Sequence, residues 1–441
     1  MALPQISFDE FVSRRARLAE QLDDNSAVIV PAARLTTRNS DVEHPFRQDS
    51  HFFYLTGFDE PDALLLLLKQ HGSVRYILFC QPRDPLMEIW HGYRQGPHGA
   101  KANFGADAAY SIEDLETRLG EYLNGVESLY FCMGAHHHTE KLVERVLQTM
   151  RGKRRQGVIA PERLIDLSHL LNEMRLVKSE AEIEMMRAAG EISAAAHVRA
   201  MQACKPGMME YQLEAEIMHH FAMHGCRLPA YSSIVGGGKN GCVLHYVENS
   251  APLNDGDLVL IDAGCEVGYY AGDITRTFPV NGRFSEAQRQ IYDIVLAAQR
   301  ACIEEIKPGV PWEQMQETSV RIITQGLLEL GILQGALDEL IAQEAYKPFY
   351  MHRLGHWLGM DVHDVGDYRV HGEWRELVPG MVMTVEPGIY ISPDNEAVDP
   401  KWRGIGIRIE DDVVVTKTGC DVLTHAVPKE IDEIEALMAQ A

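Results

Sequence analysis

The sequence predicts a two-part α/β protein: a small N-terminal α/β domain over residues 1–174, followed by a larger α/β domain over 175–441 with an internal pseudo-twofold repeat. Three observations lead there. Up to about residue 170, short apolar runs such as "SAVIV" and "VRYILF" alternate with amphipathic stretches such as "SIEDLETRLGEYL", the pattern of strands packed on helices. A long helix with its own start signal then opens a second region. Within that region two stretches repeat one another feature by feature, and at 441 residues the chain is too long for one average core.

The helix that opens the second region begins at Ser179, which forms an S-x-x-E capping box with Glu182; Ile183, Met186, Ala189, Gly190 and Ala194 follow at helical spacing. It must end at "KPG", residues 205–207, because Pro206 has no amide hydrogen and Gly207 frees the backbone. A second helix starts the same way at Ser285 with Gln288, carries Ile291, Ile294, Val295, Ala298 and Cys302 on one face, and stops at another "KPG", residues 307–309. Each stop is followed by a further amphipathic segment, "YQLEAEIMHHF" and "WEQMQETSVRIIT".

The repeat continues into two strands. "LNDGDLVLIDAG" (253–264) and "LVPGMVMTVEPG" (377–388) share the frame L-x-x-G, five residues, an acid, x-G. Asp262 and Glu386 therefore occupy equivalent positions, and a duplicated unit would bring them together about a pseudo-twofold axis. In "LVLIDAGCEVGYYAGDITRTF" two strand-like runs joined by a Gly-rich turn let Asp262 face Asp273 across a hairpin, with Asp273, Thr275 and Thr277 on one side. "GIGIRIEDDVVV" reads as one strand, with Ile405, Ile407 and Ile409 on one side and Arg408 and Glu410 on the other. Charges on such a strand are costly unless they are paired or bind metal.

Composition narrows the function. There are 64 acidic and 41 basic residues, a net charge of −23, which repels nucleic acid and anionic lipid. The N-terminal stretch does not resemble a secretory signal, and the longest apolar run, Ala63 to Leu68, is too short for a bilayer. Eight cysteines lie singly, without C-x-x-C, as in a reduced protein. The expectation is a soluble cytoplasmic protein with no nucleic acid or membrane partner.

"MHRLGHWLGMDVHDVG" (351–366) adds three histidines to the four acids at strand ends. Four carboxylates and one imidazole carry a charge of −4, which two divalent cations would balance. Oxygen-rich ligation favours a hard or borderline ion such as Mn(II) over a thiolate-type zinc site.

"DAGCEVGYYAGDITRTF", "MHRLGHWLGMDVHDVG", "TVEPGIY" and "GIGIRIEDD" resemble the signature segments of the pita-bread metallopeptidases, in particular their aminopeptidase P and prolidase branch. "EMRLVKSEAEIEMMRAAGEIS" and "FRQDSHFFYLTGFDEPDALLLL" extend the likeness over nearly the whole chain. The resemblance implies a C-terminal pita-bread domain that cleaves the N-terminal Xaa-Pro bond of peptides with proline at the second position, using a metal-bridging hydroxide as nucleophile. It implies Asp262, Asp273, His356, Glu386 and Glu410 as ligands of two divalent ions, with Asp273 and Glu410 bridging. His245, His352 and His363 match the family's active-site histidines, Arg408 its partner to the ligands, and Glu386 is the candidate proton shuttle. Tyr231, His245 and His352 are expected at the substrate, with Asp41 and Trp90 as further contacts; Trp90 would be supplied by a neighbouring subunit of a homotetramer. Arg353 departs from the family, in which many members carry glycine. A prolidase restricted to dipeptides, and a pita-bread protein that binds without catalysis, are the alternatives. "GGGKNG" (236–241) lacks the phosphate-loop frame and its following hydroxyl residue, which argues against a nucleotide site.

Overall fold

A computed structural model of the chain describes residues 3–440. The described residues divide into two compact units, one holding Ile6–Met174, the other holding residues 3–5 and 175–440.

The first unit is built on a six-stranded mixed sheet, in the order Ala108–Ser111, Ser73–Cys80, Leu64–Gln70, Ser26–Pro31, Ser128–Phe131, Arg163–Asp166. Leu64–Gln70 pairs antiparallel with both neighbours, and the remaining pairings are parallel. Leu64 to Leu68 are all buried, which explains why this central strand reads as an unbroken apolar run rather than an alternation. One face of the sheet packs through Ile29, Leu66, Phe79 and Leu129 against Leu119, Leu142 and Val146 of two covering helices.

The second unit repeats itself in detail. The helices Glu180–Ala203 and Glu210–Met223 pack as a pair, as do Glu286–Glu305 and Trp312–Glu329. Both long helices start with complete capping boxes, at Ser179 with Glu182 and at Ser285 with Gln288. The two "KPG" stops have the same backbone: Gly207 at φ +88° and Gly309 at φ +86°, left-handed values that glycine adopts without strain. Their amides make equivalent hydrogen bonds, Gly207 N–H to Leu253 O at 2.8 Å and Gly309 N–H to Leu377 O at 2.9 Å. Leu253 and Leu377 are the leucines that open the two L-x-x-G frames, so the repeat seen in sequence is one of hydrogen bonding as well as spacing.

Each half then contributes a three-stranded antiparallel sheet. One consists of Thr275–Pro279, Leu258–Asp262 and Ile234–Gly237; the other of Val382–Val385, Asp411–Val415 and Cys420–Val422. The halves are joined where their strands meet. Thr277 Oγ1 donates to Arg408 O at 3.1 Å, Glu410 N–H donates to Thr275 O at 3.1 Å, and Arg276 Nη1 reaches Glu410 O at 2.5 Å. This seam carries the four acids toward one another.

One expectation is corrected. "GIGIRIEDDVVV" is not a single strand: Gly406–Arg408 pairs with Gly388–Tyr390, while Asp411–Val415 belongs to the other sheet. The break falls at Glu410: Ile409 N–H still reaches Pro387 O, at 3.4 Å and in register with Gly388–Arg408, but Glu410 N–H turns to Thr275 O in the other half. The opposing strand breaks at Glu386 and Pro387, the latter without an amide hydrogen to donate.

Candidate active site

The breaks and ends of these strands are where the acids sit. Asp262 closes Leu258–Asp262, Asp273 lies two residues ahead of Thr275–Pro279, and Glu386 and Glu410 occupy the two interruptions. The turn from Asp262 to Asp273 folds back tightly: a Cβ on Gly264 would lie 1.7 Å from Gly272 O. The histidine-rich loop is tied to the second half in the same way, with His356 N–H donating to Thr384 Oγ1 at 3.0 Å and Thr384 N–H to His356 O at 2.9 Å. A Cβ on Gly355 would sit 2.0 Å from Thr384 O, so glycine lets the loop approach closely enough to aim His356. Behind it, buried Asp364 is gripped by Lys178 Nζ at 2.9 Å and Arg175 Nη2 at 2.6 Å.

The result is a cavity of about 720 Å³ with an acidic floor of buried Asp262, Asp273 and Glu410 and partly buried Glu386. His356 Nε2 lies 3.5 Å from both Asp273 Oδ2 and Glu386 Oε1. Its Nδ1 is 3.0 Å from Trp357 O, so Nδ1 carries a hydrogen and Nε2 faces the acids. Against the cost of burial, Asp273 and Glu386 raise His356 to about 9, and a metal ion held here would replace the Nε2 proton, as in histidines that ligate metal. Ligand atoms of Asp273, His356 and Glu410 all lie within 4.8 Å of one another.

Electrostatics shows what the floor lacks. Burial, followed by the repulsion of Asp273 and the other acids, pushes Glu410 well above the usual carboxylate range. Burial also raises Glu386, to about 7, despite His356 and Arg408 nearby, and raises Asp262 against the pull of Arg408. Four acids, three of them buried, served by Arg408 and a protonated His356 are still short of positive charge. Carboxylate oxygens and one imidazole, without a thiolate, fit hard or borderline divalent cations, and Asp262, Asp273, His356, Glu386 and Glu410 are the residues that would hold them.

Around the floor runs a polar network. Tyr231 donates toward Asp262 Oδ1 at 2.6 Å and Asp273 Oδ1 at 2.5 Å. Arg408 contacts Asp262 Oδ2 at 2.6 Å through Nη2, Thr275 Oγ1 at 2.9 Å through Nε, and Tyr390 Oη at 2.9 Å through Nη1. The Tyr390 hydroxyl, taking that hydrogen bond, is left to donate to His352 Nε2 at 2.9 Å, while His352 Nδ1 donates to Arg353 O at 2.7 Å. His352 is thus held neutral: burial and the positive charge of Arg408 push it down to about 4. His245 and His363 are exposed at the cavity's edge, with His363 set edge-on against His356 at 4.3 Å between ring centroids.

Asp41 and Trp90 belong to the other compact unit. Asp41 is exposed in the turn between Thr37–Asn39 and Val42–Glu43; Trp90 is 80% exposed on the short helix Pro85–His91. Sequence reading overlooked Tyr390 and Thr384. Both lie in the quoted neighbourhood "TVEPGIY", but a tyrosine or threonine in a short strand has no distinguishing mark until its hydroxyl is seen to bridge Arg408 to His352, or to meet the His356 amide.

Residues 184–417 match the family model of metallopeptidase family M24, and residues 11–130 match that of the aminopeptidase P N-terminal domain. The chain is 50% identical over 442 residues to the Xaa-Pro aminopeptidase of Escherichia coli (strain K12), covering 100% of this chain and 99% of that protein. Among solved structures it is similar to the aminopeptidase PepP of Pseudomonas aeruginosa, with a TM-score of 0.98, 54% identity and 99% of each chain covered. A zinc-substituted aminopeptidase P of Escherichia coli in complex with product matches with a TM-score of 0.97 and 50% identity, again over 99% of each chain.

Proposed function

Starting from the fact that this chain belongs to metallopeptidase family M24, we propose that it is an Xaa-Pro aminopeptidase that removes the first residue from peptides with proline at the second position. The observation that carries this reading is the convergence of Asp262, Asp273, His356, Glu386 and Glu410 on one largely buried, cation-deficient floor, in a chain half identical to an Xaa-Pro aminopeptidase.

Two divalent ions, with Mn(II) our preferred assignment, would supply Lewis acidity and a water acidified enough to act as hydroxide at neutral pH. The remaining chemistry falls to the chain's own residues. The substrate's free N-terminal amine would bind one metal ion or a nearby acid of the floor. His245 and His363, exposed at the edge, donate hydrogen bonds to the carbonyl oxygen as charge develops on it. Glu386 takes a proton and passes it to the prolyl nitrogen, a tertiary amide nitrogen that must be protonated to leave. Arg408 and Tyr390 are positioning residues: one orients Asp262, and together they hold His352 neutral, with the lone pair on Nε2 facing the Tyr390 hydroxyl. Tyr231 fixes the mutual orientation of Asp262 and Asp273.

The test is hydrolysis of an Xaa-Pro dipeptide and an Xaa-Pro-Yaa tripeptide by metal-stripped protein, with and without added Mn(II) or Zn(II). Release of the first residue from the tripeptide on metal addition is the expected outcome. Cleavage of the dipeptide alone makes the chain a prolidase, and no cleavage of either with metal bound favours a binding protein.

We also propose a homotetramer, with Trp90 close to a neighbouring copy's substrate. Leu86, Ile89, Trp90 and Tyr93, each more than 70% exposed, form an apolar surface of a kind that usually marks a contact. Light scattering should give four times the 49.5 kDa chain mass, and Trp90→Ser should lower that value; a monomeric parent contradicts the proposal. The cytoplasm is the compartment we assign: the eight cysteines are free thiols, six of them buried, which suits a reducing environment.

A further inference from the structure

The cavity carries one cation whose task the reaction does not explain. Arg353 lines it with a side chain 51% exposed. Its Nη2 pairs with Glu313, and its guanidinium carbon lies 4.8 Å from the ring centroid of Trp374. A carboxylate at one edge and an indole beneath fix the plane of the group. Its Nε and Nη1 hydrogens have no protein acceptor among the described residues. The other guanidinium lining the cavity, that of Arg408, is buried and committed to Asp262, Thr275 and Tyr390. Among the described lining residues Arg353 is therefore the single exposed arginine or lysine.

With the floor's carboxylates balanced by two divalent ions, Arg353 is the exposed charge left over on the cavity lining. A short peptide has the matching charge, a carboxylate at its end. With the first peptide bond placed at the floor for cleavage, the chain must leave by the rim, and an extended tripeptide spans about 10 Å, which a cavity of about 720 Å³ accommodates. Arginine binds carboxylates through parallel N–H groups, and holding it in place beforehand reduces the entropy lost on binding.

Resting on the Xaa-Pro aminopeptidase reading, we propose that Arg353 is a specificity-determining residue that reads a carboxylate on the third residue of the substrate. That carboxylate is either the C-terminus of a tripeptide or the side chain of an acidic residue. Glycine at this position cannot make the contact, so the preference belongs to chains that carry the arginine.

Three peptides separate the two sources: Ala-Pro-Ala, its C-terminal amide, and Ala-Pro-Asp amide. The metal-loaded parent should cleave at least one carboxylate-bearing peptide about fivefold better than the plain amide in kcat/KM, through KM, and less so at high salt. Which of the two is favoured identifies the source. Arg353→Gln should bring the ratio close to one, whereas a purely structural role would slow all three peptides alike and leave the ratio intact. A parent ratio near one, or a ratio preserved in Arg353→Gln, overturns the proposal. Hydrolysis of none of the three overturns the peptidase reading and this inference with it.

Discussion

Glu410→Gln should lower kcat for Xaa-Pro hydrolysis by about a thousandfold or more, some 4 kcal/mol of lost transition-state stabilisation. The substitution keeps the shape of a side chain that is only 2% exposed, and the amide oxygen can still accept from Thr275 Oγ1, which now lies 2.6 Å from Glu410 Oε2. What it removes is a charge at the centre of the floor, where Asp273, Glu386 and Asp262 crowd the same space. The metal-free variant should therefore be at least as stable as the metal-free parent, since a repelled buried carboxylate is gone. Added Mn(II) or Zn(II) should raise the melting temperature of the parent and not that of the variant, because only the parent gains binding free energy on folding. Calorimetry with and without ion, beside a steady-state assay, checks both halves. A variant retaining a tenth of the parent activity would remove Glu410 from the metal-holding set.

The second large effect is structural. Asp411→Ala should cost about 3–5 kcal/mol and lower the melting temperature by roughly 8 °C for a unit of this size. Asp411 is fully buried next to Glu410 and accepts from four side chains: Arg276 Nη2 at 2.7 Å, Thr424 Oγ1 at 2.8 Å, Lys429 Nζ at 2.7 Å and Gln299 Nε2 at 2.8 Å. Alanine leaves the buried guanidinium of Arg276 without its counter-charge in the seam that joins the halves. Burial alone would raise Asp411, but Arg276 and Lys429 outweigh it and hold the carboxylate at about 2, below the ordinary 3.8. A carboxylate depressed in this way stabilises the fold fully above pH 3.8, and that stabilisation is lost as the pH falls through about 2. Denaturant melts at neutral pH and between pH 4 and 2 test this: Asp411→Asn should lose less than alanine at neutral pH, and its stability should fall less steeply with acid than the parent's. A parent and Asn variant with the same acid slope would mean the charge of Asp411 is not what stabilises the seam.

Much of the catalytic framework was legible because it is repeated. The capping boxes, the "KPG" stops and the two L-x-x-G frames recur at matching spacing, and each is a local device: a cap satisfies its own helix end, and a proline withholds its own amide. Asp262 and Glu386 could be placed at equivalent strand ends for that reason. Other features depend on partners distant in sequence and leave no local trace. The split of "GIGIRIEDDVVV" follows from Glu410 N–H bonding to Thr275 O, 135 positions away. Asp364 looks like one more acid in a polar loop until Arg175 and Lys178 are seen to hold it. Tyr390 gains its role only when Arg408 and His352 reach its hydroxyl from opposite sides.

The sequence by itself determined the duplicated α/β plan and the residue types able to hold divalent cations, since periodicity, caps and donor chemistry are properties of short segments. Tertiary structure alone decided how those donors meet, which hydrogen bonds set the tautomers of His352 and His356, and that Arg353 stands exposed over an acidic floor. Those outcomes depend on burial and on contacts between elements far apart in the chain, where loss of water turns a modest charge into a strong one.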